Sequence, residues 1–349
     1  MSDPGSGLSI RPLDPADDAQ MAAWHAAYLA AEVQGRDYAS PWMLPEMRAD
    51  FLGERTSMTV LPFSGLIDAP AGGAATVTAG VLWLPQHDNR HQASVQVHTH
   101  PDHQRRGYGS AMLDHLIGLA RQHGRRTVTA DASYPYVGPA DGAGHPVVRF
   151  LTRRGFSLAL GDVTRVLELP VDPARLDGLA AQAAPYHRDY ALRRFAGPVP
   201  EDIVVGFGEL IGSLMTEAPV GELELEPEVF TPERIRADEE VFAASGRTKY
   251  TTVALAADGA VAGYSEIVVP RHDPGRAYQW GTLVRRADRG HRLGLTTKAH
   301  NLAWVQREEP DLRLLVTFNA EVNVHMVGVN EQLGFRPVER LGEFQRQLG

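Results

Sequence analysis

Gln104-Arg105-Arg106-Gly107-Tyr108-Gly109-Ser110 stands between two segments of different periodicity. Before it, Ala93 to Thr99 reads as a strand; after it, Met112, Leu116, Leu119 and Ala120 recur at helical spacing within Tyr108 to His123. A turn that ends a strand and opens a helix presents unpaired backbone N–H groups at the positive end of the helix dipole. Glycine there lets an anion approach the main chain with no Cβ in the way. The turn therefore reads as a seat for a pyrophosphate, with Arg105 and Arg106 adding charge, although Gly-x-Gly by itself also occurs in ordinary loops.

Working outward, Leu8 to Leu13 reads as a strand, Asp14 to Gly35 as a helix with an acidic first turn, and Pro45 to Leu52 as a second helix. Ser57 to Pro62 and Ala75 to Leu84 are strands, as is Thr127 to Ala130; Pro146 to Arg154 is a short helix stopped by Gly155, and Val163 to Leu169 is a further strand. The same order then repeats. Tyr190 to Phe195 is a strand, Glu201 to Met215 and Pro232 to Ala244 are helices, and Tyr250 to Ala256, Ala260 to Val269 and Ala277 to Val284 are strands. A turn at Arg289 to Gly294 leads into a helix ending near Gln306, then strand Leu312 to Thr317, helix Val322 to Leu333 and a closing strand after Gly334. Between the two runs, Pro170 to Pro185 is rich in Ala, Pro and Asp and reads as a connection. The expected class is α/β with mixed sheets, in two similar domains over 1–170 and 190–349 joined by a linker over 171–189.

Composition narrows the function. The 349 residues are 43% hydrophobic and 22% charged, enough for two cores. The net charge is -9 and there is no long Lys/Arg run, which argues against a nucleic-acid partner. With no cysteine, neither disulfides, thiolate metal sites nor an acyl-enzyme thioester can form. No apolar run approaches the roughly 18 residues of a membrane span, and Met1 to Asp14 has no leader pattern, so a soluble, cytoplasmic protein is expected.

The run from Val97, His98 and Thr99 through Gln104, Arg105, Arg106, Gly107, Tyr108, Gly109 and Ser110 resembles the acetyl-CoA motif of the GNAT N-acetyltransferase superfamily, Gln/Arg-x-x-Gly-x-Gly/Ala between a strand and a helix. Phe150 to Phe156, FLTRRGF, is similar to the segment that closes the family's CoA site. The second half carries the resemblance in Thr282, Leu283 and Val284, then Arg289, Gly290, His291, Arg292, Leu293, Gly294 and Leu295, and in Thr317 to Phe335, which includes Asn319. There Asn323 falls at the family's helix Asn and Asn330 at its Tyr; the first half has Gly144 and Leu151 at those positions. Arg292 stands where a first glycine is usual. The doubled arrangement resembles that of the mycothiol synthase group. The resemblance implies two tandem acyl-CoA N-acyltransferase domains, each a mixed sheet whose parallel middle strands splay around pantetheine. It also implies direct transfer of acetyl from acetyl-CoA to an amine.

A protonated amine of pKa about 10.4 cannot attack a thioester, and its deprotonation near neutral pH costs roughly 4 to 5 kcal/mol, so a base is sought. Glu266, in mid-strand, and Glu217, after a helix, are candidates; Tyr264 and Tyr250 are candidate acids. In the first half His98 and His100 alternate with Val97 and Thr99 on one strand, so both imidazoles are expected on one face, and His98 is a candidate base. The expected partner is a small-molecule amine, with no nucleic acid, membrane or metal, for a monomer or homodimer. Two other readings are an acyl-CoA sensor without turnover, favoured by the missing Tyr, and a metal hydrolase built on His87, His91, His98, His100 and His103.

Overall fold

In a computed structural model, residues 7–69, 72–217 and 219–349 are described. The first run of elements is β1 (Ser9–Pro12), α1 (Asp18–Glu32), α2 (Leu44–Leu52), β2 (Met58–Asp68), β3 (Ala74–Pro85), β4 (Gln92–Thr99), α3 (Tyr108–Gln122), β5 (Thr127–Pro135), α4 (Pro146–Thr152) and β6 (Ser157–Glu168). The second is α5 (Pro173–Ala183), β7 (Ala191–Ala196), α6 (Val204–Gly212), α7 (Leu214–Glu217), α8 (Pro232–Ala244), β8 (Arg247–Leu255), β9 (Val261–Pro270), β10 (Arg276–Val284), α9 (Leu293–Glu308), β11 (Leu314–Ala320), α10 (Val324–Leu333) and β12 (Arg336–Gln347). This is a mixed α/β architecture, as the alternation of patterns implies.

The chain forms two compact units that are interleaved in sequence. The first comprises residues 1–132, 148–158 and 343–349, and the second 133–147 and 159–342. Strand order in the first unit is β1-β2-β3-β4-β5 followed by the end of β12. In the second it runs from the beginning of β12 through β6-β11-β10-β9-β8 to β7.

In the first unit, α1 is started by Asp17, whose side chain accepts hydrogen bonds from the N–H groups of Ala19 and Gln20. It buries Met21, Trp24 and Tyr28 against Ala79 and Val81 of β3. Each such large side chain contributes about 1.5–3 kcal/mol of burial. In the second unit, α9 lays Leu295, Ala299 and Leu302 beside Ile267 and Leu315.

Both units open their sheet at the same place. In the first, β4 and β5 pair in parallel from Gln92↔Thr127 only to Ser94↔Thr129, though β4 continues to Thr99 and β5 to Pro135. In the second, β10 and β11 pair from Arg276↔Leu314 only to Gln279↔Thr317, though they continue to Val284 and Ala320. Beyond those pairs the facing backbone edges part. Several elements differ from the sequence reading, among them β2, which runs on to Asp68, and β6, which begins at Ser157. The Ala/Pro/Asp stretch read as a connection contains α5, with Asp172 capping it and Pro173 in its first turn. The helix expected over Glu201 to Met215 is divided into α6 and α7 at Ser213. The strand expected to stop at Ala130 runs on to Pro135.

Candidate active site

The turn from Gln104 has its distinctive backbone. Arg105 (φ 63°) and Gly107 (φ 88°) are left-handed, and Gly107 is the N-cap of α3 with no side-chain cap. The helices α1, α5, α8 and α10 are each capped by a side chain, of Asp17, Asp172, Thr231 and Asn323. The first N–H groups of α3 have no such side-chain acceptor, an arrangement that can receive an anion. Gly109 lies over the end of β4: a Cβ there would come 2.9 Å from Thr99 Oγ1 and 3.8 Å from Val97 Cγ1. Strand alternation thus points Val97 and Thr99 at α3 and His98 the other way.

Gln104 Nε2 donates to Gln34 Oε1 (2.8 Å) and Thr99 O (3.2 Å), tying the turn to the strand end. Arg106 Nη2 donates to Asp102 O (3.1 Å), and Arg154, stacked on Phe150, donates to Ser110 Oγ. Arg105 and Arg106 are exposed and form no ion pair among the described residues. Their charge remains available to a ligand phosphate.

The equivalent turn of the second unit repeats the backbone with the residue types exchanged. Gly290 (φ 88°) and Arg292 (φ 53°) are left-handed, and Arg292 is the uncapped N-cap of α9. Its guanidinium leaves the turn to stack on Tyr186 at 4.2 Å. The neighbouring charges are neutralised from within. Glu217 accepts from Arg289 Nη2 (2.7 Å) and lies 3.5 Å from Arg286 Nε; buried Asp288 accepts from Arg285 and from Tyr190 Oη (2.9 Å). Held by Arg285 against the opposing effect of burial, the Asp288 carboxyl lies below its ordinary pKa. His291 Nδ1 is 3.1 Å from Asp288 O, and Leu293 and Leu295 face the core.

The parted strands of the two units also differ in lining. In the second, buried Gln279 occupies the bulge between Gln279 and Thr282, and its Nε2 donates to Glu266 O (2.7 Å) and Ser265 Oγ (3.1 Å). Thr282 Oγ1 is 3.1 Å from Ser265 Oγ, Leu283 is buried, and Val284 packs on Gly294. Asn319, Asn330 and Lys298 form an internal chain: Arg165 Nη1 and Asn330 Nδ2 each donate to Asn319 Oδ1 at 3.0 Å, and Lys298 Nζ to Asn330 Oδ1 at 2.7 Å. Burial lowers the Lys298 pKa to about 7. Asn323 caps α10 by accepting from Met326 N (3.2 Å).

The carboxylates expected from sequence in the second unit are engaged. Glu266 is buried and 3.2 Å from Lys249 Nζ, which lies over the rings of Phe242 (5.3 Å) and Trp280 (5.9 Å). Tyr264 is 1% exposed, its hydroxyl level pushed far up by burial and the Glu266 charge, and it packs on Phe207. Tyr250 donates to Glu309 Oε1 (2.6 Å); burial, then this bond, raises its pKa.

In the first unit, His98 Nε2 lies 3.2 Å from Glu32 Oε2 and its ring meets Tyr28 edge-on at 4.8 Å. His100 lies just beyond β4, which ends at Thr99, and its Nδ1 accepts from Asp102 N (3.3 Å). Burial would raise the Glu32 carboxyl, but His98 and Arg36 hold it below its ordinary pKa. Beyond the last residue of β5 paired with β4 stands Asp131. Its side chain reaches solvent, yet protein crowds it; that desolvation, and then the Glu32 charge, raise its pKa from 3.8 to about 6. The Glu32 and Asp131 carboxyls are therefore shifted in opposite directions from the ordinary carboxylate range, with His98 held against Glu32. The sequence reading singled out His98 and named neither Glu32 nor Asp131. The signal for Asp131 was a carboxylate within a strand pattern next to the parallel pair, whereas Glu32 looked like any helix-end acid.

Among the described residues, no group of three or more His, Asp or Glu side chains is arranged to hold a metal ion. No described helix is long and apolar enough to cross a membrane.

Residues 28–156 match the Acetyltransferase (GNAT) family. The whole chain is similar to the solved tandem GNAT protein from the clavulanic acid biosynthesis pathway, in its form without acetyl-CoA: 28% identity, 98% of this chain and 99% of that one, TM-score 0.76. A GCN5-related N-acetyltransferase from Sphaerobacter thermophilus shares the fold at 17% identity, over 97% of this chain and 95% of that one, TM-score 0.62. Saccharomyces cerevisiae N-myristoyltransferase, solved with myristoyl-CoA, does so at 12% identity, over 99% of this chain and 80% of that one, TM-score 0.60. No curated protein matches the sequence.

Proposed function

Starting from a GNAT acetyltransferase domain over residues 28–156 and a tandem GNAT fold along the chain, we propose that the first unit transfers acetyl from acetyl-CoA to the amine of a small molecule. One observation carries the choice of unit. Arg105 and Arg106 flank an uncapped helix with their charges free, whereas Arg285, Arg286 and Arg289 of the other turn are paired with Asp288 and Glu217. The parted edges of β4 and β5 leave backbone groups without a strand partner, which fits a hydrogen-bonding pantetheine arm.

Acetyl-CoA supplies an activated acyl thioester when bound. In this reading the N–H groups at the start of α3, with Arg105 and Arg106, hold its phosphates. Asp131, with its pKa of about 6, is largely ionised at neutral pH and receives the amine proton, directly or through a water. Glu32 and His98 position the amine and keep negative charge close to Asp131. A departing thiolate of pKa about 8.5 is a fair leaving group, so the absence of the family's Tyr at Leu151 does not preclude turnover. The second unit keeps the fold, with Arg285, Arg286 and Arg289 spent on its own carboxylates and Arg292 stacked on Tyr186, and we assign it no turnover. The reading includes a monomer or homodimer in the cytoplasm.

The test is amine-dependent release of CoA, read with a thiol reagent; the chain has no cysteine to contribute background. Release is expected with wild type and Gly294→Glu and not with Gly107→Glu. Acetyl-CoA that stays intact and unbound in every mixture contradicts the reading.

A further inference from the structure

The first unit has a second basic concavity, at the opposite end of α3 from the turn at Gly107. A cleft of about 470 Å³ is lined by Gln86, Arg90 and His91 from the turn between β3 and β4, and by His123, Gly124, Arg125 and Arg126 from the turn between α3 and β5. The 15 residues of α3, at about 1.5 Å each, put it roughly 22 Å from the α3 N-terminus. The two turns are fastened together: Arg126 N donates to His91 O (2.7 Å), as does Thr127 N (3.1 Å). The arginines are thus presented on a fixed backbone.

Three guanidiniums and two imidazoles line the cleft with no carboxylate among them, in a chain whose net charge is -9. Arg90, Arg125 and Arg126 form no ion pair among the described residues. Arg90 and Arg126 are exposed, but Arg125 is only 8% exposed. Its Nη1 donates to the backbone oxygen of Arg90, while its buried Nε has no acceptor. Burial and then the charge of Arg90 lower its pKa. Arginine remains charged in proteins, so a buried guanidinium beside two more is a standing excess of positive charge. Planar guanidiniums match phosphate oxygens in forked pairs, and the cleft volume lies in the range of small-ligand sites.

We propose that this cleft is a second anion site, separate from the acyl-CoA site, that takes the phosphate or pyrophosphate group of a small molecule. Arg125 is its buried anchor, and Arg90 and Arg126 close over the ligand from the rim. The proposal does not depend on the assignment of acetyl transfer.

The experiment is calorimetric titration of pyrophosphate, with ADP and citrate in parallel, into wild type, Arg90→Ser/Arg126→Ser and Gly107→Glu. Both arginines of the double variant are exposed, and the oxygen that receives Arg125 is backbone, so the fold is retained. Pyrophosphate affinity at this site should fall at least tenfold in the double variant and persist in Gly107→Glu, and ADP should bind where citrate does not. Equal affinity in wild type and double variant, loss in Gly107→Glu alone, or no binding to wild type at millimolar pyrophosphate would overturn the proposal. Citrate binding as tight as that of pyrophosphate would overturn its assignment to phosphate.

Discussion

Lys298→Met is expected to change the pH dependence of stability, with its largest gain at the acid end of the accessible range. Lys298 is 1% exposed, donates to Asn330 Oδ1 at 2.7 Å and has its pKa lowered from 10.5 to about 7 by burial. The unfolded chain keeps this amine protonated to about pH 10.4, so between the two values the unfolded state binds more protons and stability rises with pH. With pKa values of 10.5 and about 7, the linkage cost to the native state is about 5 kcal/mol at pH 6 and about 2 kcal/mol at pH 9. The difference, about 3 kcal/mol, is what the lysine adds to the pH dependence over that interval. Methionine carries no titration, but it leaves Asn330 Oδ1 without its donor, a loss of about 1–2 kcal/mol at any pH. Urea unfolding of both proteins at pH 6, 7.5 and 9 measures this directly. The variant should gain on wild type by about 3 kcal/mol from pH 9 to pH 6. Parallel curves would refute the claim that Lys298 is buried without a compensating charge.

Other consequences follow from the same geometry. With Asp131 at about 6 in the free protein, the kcat/KM profile for acetyl transfer should rise with a limb near pH 6 as the carboxyl ionises. Asp131→Asn should remove that limb and lower kcat/KM by about 10²-fold, a pH–rate series deciding the matter. Gly109→Ala puts a methyl 2.9 Å from Thr99 Oγ1, itself 3.1 Å from Thr78 Oγ1; a loss of about 1–2 kcal/mol and weakened acetyl-CoA binding are expected by thermal unfolding and titration. Gly294→Ala meets nothing nearer than 3.8 Å and should gain about 0.5 kcal/mol in the same unfolding assay. Gly208→Ala would bring a methyl 2.3 Å from the backbone oxygen of Phe230, and denaturant unfolding should show a loss of about 1–3 kcal/mol.

Local signals read well from sequence, and signals that depend on partners far along the chain did not. The turn at Gln104 was legible because a left-handed backbone favours glycine and its strand-to-helix setting is periodic on both sides. Even so, the two turns show how residue type can mislead: Arg105 and Arg292 adopt left-handed φ, trading places with Gly290 and Gly107. Asp131 was lost because the strand reading stopped at Ala130, although β5 runs on and tolerates Pro135 as its last residue. Glu32 meets His98 across 66 positions of sequence, and nothing local announces that pairing. Glu266 was visible as a carboxylate in a strand, but its partner was not: Lys249 lies on β8, diagonally across the register that pairs Thr251 with Glu266. The helix α5 carried its signal openly, Asp172 followed by Pro173, beneath a composition that resembled a linker.

The central claim is that the turn at Gly107, and not the one at Arg292, holds acyl-CoA. Calorimetric titration of acetyl-CoA into wild type, Gly107→Glu and Gly294→Glu addresses it directly. The account predicts one binding event in wild type, unchanged in Gly294→Glu and lost in Gly107→Glu, where the left-handed φ of 88° disfavours any side chain and the new carboxylate repels phosphate. Loss of binding in Gly294→Glu alone, or no binding in wild type, would contradict it.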